Sequence, residues 1–333
     1  MIVDVHAHYV SPQVAAAVRG NQARYGVGIV DTPDGEPRFI VGGRETSRPQ
    51  ALLPALQELD ARQETMARQT IEHQVVSIAL TFTGYELPPE QGAAWARLLN
   101  DATAEDLQAA PGRFTATATV PLQDGRAAAA EVQRAIGRLG NHGIVISTHV
   151  AGRNLDDRDL DPFWAAAQEA RAPIIIHPAL VVQSPRLANY YLQNLLGNPY
   201  DTAIAAASLV FGGVCDRYPD LKIMLVHGGG HFPYQIGRLT HGWSVRPETK
   251  ALQTPPLDYL KWFYYDTVLY YAPALRYLAE VVGADRLMLG SDYPYDMCPA
   301  QPRQLIADAG FAAADREQIS GGTSTAVFHL QAE

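Results

Sequence analysis

The chain has 333 residues, 47% of them hydrophobic, and a formal net charge of −9 at pH 7, so it holds apolar material for a sizeable core in one domain or two. The acidic balance argues against nucleic acid or an anionic membrane as partner, since both reward basic surfaces. No apolar run reaches transmembrane length, no signal peptide is read at the start, and the two cysteines, Cys215 and Cys298, stand outside any C-x-x-C pattern, which excludes a disulfide framework and a thiolate zinc site and leads us to expect a soluble cytoplasmic protein.

The first eight residues read as a strand, with β-branched Ile2, Val3 and Val5 around Asp4, His6 and His8. Side chains on a strand alternate faces, so the two imidazoles share one. They are either half of a metal site or the polar finish of an edge strand. A turn-rich stretch follows, to about residue 50, which is too long for an ordinary connection and is expected to be functional or to carry small structure of its own.

From there helices and strands alternate. Helices are expected over residues 53–73, 89–110, 126–139, 161–171, 201–218 and 273–282, with another beginning near His231. Strands are expected over 75–80, 114–120, 143–147, 173–177, 222–227, 263–267 and 286–292. A longer insertion separates the strand ending at His177 from the next helix. Counting the first, eight short apolar strands alternate with helices, the pattern of a parallel sheet covered on both sides. Eight units close a (β/α)₈ barrel, read here as a single domain over 1–333 with a small insertion after the first strand, at about 9–50. A doubly wound open sheet is the rival, but no G-x-G-x-x-G follows the first strand.

Catalytic groups of a barrel gather at the C-terminal ends of its strands. His6 and His8 end the first strand, His177 the fifth, His227 the sixth and Asp292 the eighth, so all five fall on one rim. Three histidines and a carboxylate suit zinc, with manganese as the other candidate. One histidine is left over for proton transfer, and His227, before Gly228-Gly229-Gly230, is the choice. The three lysines, Lys222, Lys250 and Lys261, include none at the end of the fourth strand, which runs Ile146-Ser147-Thr148-His149. A bridging carbamylated lysine and a Schiff base are therefore disfavoured, and one metal is expected.

The set His6-Ala7-His8, Ile176-His177-Pro178, Val226-His227-Gly228-Gly229-Gly230 and Gly290-Ser291-Asp292-Tyr293-Pro294 resembles the amidohydrolase-related (amidohydrolase 2) barrels of the aminocarboxymuconate-semialdehyde decarboxylase type. The resemblance runs in order over nearly the whole chain. It implies that His6, His8, His177 and Asp292 bind one zinc per subunit, and that His227 acts as general base on the metal-bound water, whose pKa a metal lowers toward about 7. Arg48 matches an arginine that grips substrate carboxylate, and Arg238 matches one that reaches into a neighbouring subunit's site, which implies a homodimer and an acidic small-molecule substrate. The chain departs from that type at Ala179-Leu180-Val181, in a tyrosine-rich insertion at Tyr190-Tyr191, and at His231, where the relative has a small residue.

His149 and Tyr295 are further candidates for the pocket wall, while Asp4 and Asp266 are placed to orient ligands from behind. His73 and His142 read as helix-end residues, and His241 and His329 as structural ones. The reading is a non-oxidative decarboxylase of an aromatic or unsaturated carboxylic acid that uses Asp292 and His227 in catalysis. The alternative is a hydrolase of a lactone, an amide or a carbon–carbon bond on the same scaffold. A protein that keeps a metal for structure alone is disfavoured, because closed structural sites rarely include a spare histidine.

Overall fold

A computed structural model describes residues 1–31, 37–45 and 54–331. The chain begins with β1 (Val3–Tyr9), then leaves the main sheet through helices α1 (Gln13–Val18) and α2 (Gln22–Tyr25). These lead into a small antiparallel sheet of β2 (Val27–Asp31), β3 (Pro37–Val41) and β4 (Arg44–Glu45). The expected insertion thus carries its own structure, anchored where Phe39 packs edge-on against Phe82.

Helices α3 (Pro54–Gln57) and α4 (Leu59–Arg68) bring the chain back to β5 (His73–Ile78). The alternation continues with α5 (Pro89–Leu107), β6 (Phe114–Ala118), α6 (Gly125–Arg134), β7 (Gly143–Ser147), a hairpin of β8 (His149–Val150) and β9 (Arg153–Asn154), and α7 (Asp161–Glu169). Next come β10 (Ile174–His177), α8 (Asn198–Phe211), α9 (Val214–Arg217), β11 (Ile223–Leu225), α10 (Phe232–Val245), β12 (Phe263–Asp266), α11 (Ala272–Val282) and β13 (Leu287–Met288). Helices α12 (Gln304–Asp308), α13 (Ala313–Glu317) and α14 (Thr323–Val327) end the described chain. Among the described residues no helix is long and apolar enough to cross a membrane.

Eight strands form one sheet in the order β1, β5, β6, β7, β10, β11, β12, β13, every pairing parallel. Its two ends meet. Val5 N–H donates to Leu289 O at 2.9 Å, Asp292 N–H to His6 O at 2.8 Å, and His8 N–H to Tyr293 O at 2.7 Å. The result is the (β/α)₈ barrel that the strand count predicts.

Strand period then sorts the side chains. Ile174, Ile176, Ile223, Leu225, Phe263 and Tyr265 are buried against the outer helices. The alternate residues Val145, Ile175 and Met224, in register with one another, fill the interior with Met288. His177 lies two residues beyond Ile175, and Asp266 is in register with Met288. Both therefore continue the interior face at the C-terminal mouth of the barrel.

Candidate active site

Four histidine rings cluster at that mouth. The His6 ring centroid lies 5.3 Å from that of His8, 5.0 Å from that of His177 and 5.2 Å from that of His227, while His8 and His177 are 4.9 Å apart. Asp292 meets the two strand-one histidines with Oδ1, at 3.3 Å from His6 Nε2 and 3.2 Å from His8 Nε2. Potential ligand atoms of His6, His177, His227 and Asp292 all lie within 4.8 Å of one another. His8 borders the same group through the shared carboxylate.

The seam of the barrel sets this geometry. Strand β1 delivers His6 and His8, and the hydrogen bond from Asp292 N–H to His6 O fixes the carboxylate opposite them. Asp4 does not reach an imidazole. It accepts from His6 N–H (3.1 Å), Gln74 Nε2 (2.9 Å) and Ser291 Oγ (2.6 Å), tying β1 to the residue before Asp292.

Contrary to expectation, His227 and Asp292 are not the last residues of strands. Strand β11 stops at Leu225 and β13 at Met288. Both residues sit in left-handed backbone, with φ of 55° and 64°. Such positions cost a non-glycine residue about 1–3 kcal/mol and persist where the surroundings over-determine them. Here Gly228 N–H donates to Asp266 Oδ1 at 2.9 Å, which turns the chain after β11 over the barrel mouth.

Hydrogen bonds on the outer side of each ring separate the histidines into two kinds. His6 Nδ1 faces Asp266 Oδ2 at 2.6 Å, His8 Nδ1 faces Ile78 O at 3.3 Å, and His177 Nδ1 faces Pro178 O at 2.9 Å. A carbonyl or carboxylate oxygen can only accept, so each Nδ1 carries a proton; Nε2 of neutral His8 and His177 is then free to present a lone pair, and that of His6 presents one once its own proton is displaced. The buried Nε2 atoms of His6 and His177 have no hydrogen-bond partner, and His8 Nε2 faces Asp292 Oδ1 at 3.2 Å. Ring nitrogens that converge on a carboxylate in a buried place, each with its Nδ1 already committed to an oxygen, fit a cation between them. His227 differs: its buried Nδ1 has no partner.

Charge agrees. Burial opposes the charge of Asp292, yet the facing His6 and His8 hold it well below the usual carboxylate range. Burial would lower His6, but Asp292 and Asp266 push it up to about 10. Burial pushes His8, His177 and His227 down, helped at each by the charge of a neighbouring imidazole. His6 thus carries both ring protons between two carboxylates, while His8, His177 and His227 are held toward the neutral form. Nitrogen and oxygen donors of this kind suit a divalent transition metal.

A cavity of about 290 Å³ opens over His227 and Asp292, and its apolar wall includes Val268 and Leu269. Asn194, Asn198, His231 and Tyr270 add polar groups that the sequence did not single out, apart from His231. Asn194 lies in an insertion with no periodicity to mark it, and Asn198 is the first residue of α8. The Tyr295 ring lies 5.0 Å from that of His8 but is not among the residues that line this cavity.

The remaining candidates fare differently. His149 sits in the β8–β9 hairpin, past the end of the barrel strand; its Nδ1 accepts from Gly152 N–H at 3.0 Å and its Nε2 donates to Leu180 O at 3.1 Å. It borders a separate cavity with Arg44 and Tyr85. Arg238 is exposed on α10 and does not border the cavity over His227. Arg48 lies outside the described residues. His73 lies in β5 rather than at a helix end, bonded to Gly112 O and Thr115 Oγ1, and His142 bonds Phe328 O.

The sequence profile of the amidohydrolase family matches residues 3–330. The chain is 35% identical to the 2-amino-3-carboxymuconate-6-semialdehyde decarboxylase of Dictyostelium discoideum, over 80% of this chain and 75% of that one. It is 28% identical to the 6-methylsalicylic acid decarboxylase of Penicillium expansum, over 88% and 84%. Among solved structures it resembles the 5-carboxyvanillate decarboxylase of Sphingomonas paucimobilis, with a TM-score of 0.84, 25% identity and 99% of each chain covered.

Proposed function

Since the chain belongs to the amidohydrolase family, we propose that it is a metal-dependent, non-oxidative decarboxylase of an aromatic or unsaturated carboxylic acid. One divalent ion per subunit, zinc with manganese as its competitor, is held by His6, His8, His177 and Asp292. When bound, that ion supplies a Lewis acid that polarises a substrate oxygen. The observation that carries this division of labour is the outer hydrogen bonding: His6, His8 and His177 each have Nδ1 pinned by an oxygen, and His227 does not.

His227 moves the proton. Loss of carbon dioxide leaves the bonding electron pair on the carbon that carried the carboxylate, and that carbon needs one proton to complete the product. Burial and the neighbouring His6 keep His227 below its ordinary pKa, so at neutral pH the imidazole is ready to take a proton and then give it up. Asp292 holds the charge of the site in place, and the apolar walls at Val268 and Leu269 keep water from the reacting carbon. Arg48 grips substrate carboxylate, and Arg238 does so from a partner subunit in a homodimer. Arg238 is exposed, as are Tyr234 (75%) and Val245 (58%) on the same helix, which suits a face that a second copy covers.

The test is carbon dioxide release by purified metal-loaded protein from a panel of hydroxybenzoates and unsaturated dicarboxylic acids. Release from any member supports the lyase. Turnover of lactones or amides, with no release, moves the assignment to the hydrolase.

A further inference from the structure

His231 opens α10 four residues after His227. Its backbone is fixed: its N–H donates to Pro199 O at 3.2 Å, and at the preceding Gly230, φ 60°, a Cβ would stand 2.0 Å from the same oxygen. Its side chain has no such anchor. The imidazole makes no cap hydrogen bond to the helix and has no hydrogen-bond partner among the described residues; the neighbouring ring, Tyr200, lies 6.2 Å away between centroids. The side-chain amides of Asn194 and Asn198 likewise have no partner there.

These three residues border the cavity over His227 and Asp292. His231 also borders a second, mostly apolar groove of about 410 Å³ formed with Leu192, Leu196 and Tyr200. The stretch from 192 to 200 thus separates the two spaces, and His231 is the side chain common to both. Half-buried polar groups without partners, spaced along an otherwise apolar wall, are the features that orient a ligand in a pocket. Burial keeps the His231 imidazole below its ordinary pKa, so it offers one donor and one acceptor.

Resting on the decarboxylase assignment, we propose that His231 determines substrate specificity by hydrogen-bonding a neutral oxygen substituent, a hydroxyl or carbonyl, on the part of the acid away from the reacting carboxylate. Asn194 and Asn198 assist on the same wall. The ring of His231 also closes the catalytic cavity against the apolar groove, and so excludes acids with a bulky apolar substituent.

The experiment compares wild type, His231→Ala and His231→Gln, all metal-loaded. Substrates are 2-hydroxybenzoates that carry hydrogen, a second hydroxyl or a butyl group at another ring position. Affinity for 2-nitrophenols with the same substituents, which cannot lose carbon dioxide, is measured by calorimetry. In His231→Ala the preference in kcat/KM for the second hydroxyl over hydrogen falls about tenfold, chiefly through KM, the size of one hydrogen bond. The butyl compound gains relative to the others, and His231→Gln restores part of the hydroxyl preference. An equal fall for all three acids overturns the proposal. If no acid is turned over, the decarboxylase assignment fails separately and the nitrophenols decide: the same change in hydroxyl preference supports His231, while unchanged preference or no binding to wild type overturns it.

Discussion

His6 Nδ1 donates to Asp266 Oδ2 at 2.6 Å, from the first strand of the barrel to the seventh. The other oxygen of Asp266 accepts from Gly228 N–H at 2.9 Å and from Val268 N–H at 3.1 Å. One carboxylate therefore orients a proposed metal ligand and fixes the turn that carries His227. Replacing it by an amide keeps the shape and removes the charge. Asp266→Asn should weaken metal binding about 10- to 100-fold, the usual effect of losing such a partner, as read by competition with a chelator. Unchanged affinity would show that Asp266 does not tune the site.

Metal affinity should depend on pH in one direction. Without metal, Asp292 and Asp266 overcome the effect of burial and raise His6 to about 10, so this group is protonated throughout neutral pH. A metal that takes Nε2 must displace that proton, while Asp292 is already ionised. Affinity therefore falls as pH falls, by about tenfold per unit between roughly pH 6 and 8. Calorimetry in buffers of different ionisation enthalpy should find about one proton released per metal bound.

Arg62 is fully buried beneath the first strand, its guanidinium carbon 4.7 Å from the Tyr293 ring centroid and 5.6 Å from that of Tyr9. It donates to His8 O and, at 3.2 Å, to Gln74 Oε1. Burial lowers its pKa to about 10, which leaves it a cation at neutral pH. Arg62→Met would strip that cation from beside buried acceptors. We expect a loss of about 2–4 kcal/mol, seen as a lower denaturation midpoint, because uncompensated buried polar groups are expensive.

Gly230 lies against the first turn of α8, with a would-be Cβ 2.0 Å from Pro199 O and a positive φ. Gly230→Ala cannot be absorbed by moving a flexible side chain, since the obstacle is backbone. It should destabilise the fold by at least about 1–3 kcal/mol in denaturant titration and displace His231 from the cavity wall.

The barrel and most of the cluster could be read from the chain because parallel strands buried on both faces appear as short apolar runs, and His6, His8 and His177 lie within the first and fifth of them. His227 and Asp292 lie on the expected rim, but in left-handed turns rather than at strand ends. Their left-handed turns depend on Asp266 and on the seam with β1, which are contacts between residues far apart in sequence. His149 illustrates the opposite error: it follows a strand in sequence, but the chain has already left the barrel for a hairpin. Asn194 lies in an aperiodic insertion and Asn198 opens α8 three residues before the expected start, and only the packing of that segment beside α10 brings them to the cavity.

The most direct measurement is the metal content and carbon dioxide release of His227→Ala beside wild type. The assignment of His227 to proton transfer predicts that the variant keeps one metal per subunit and that turnover falls by about 10²- to 10⁴-fold. Loss of the metal would contradict it and place His227 among the ligands, and release at the wild-type rate would contradict it by removing His227 from the chemistry.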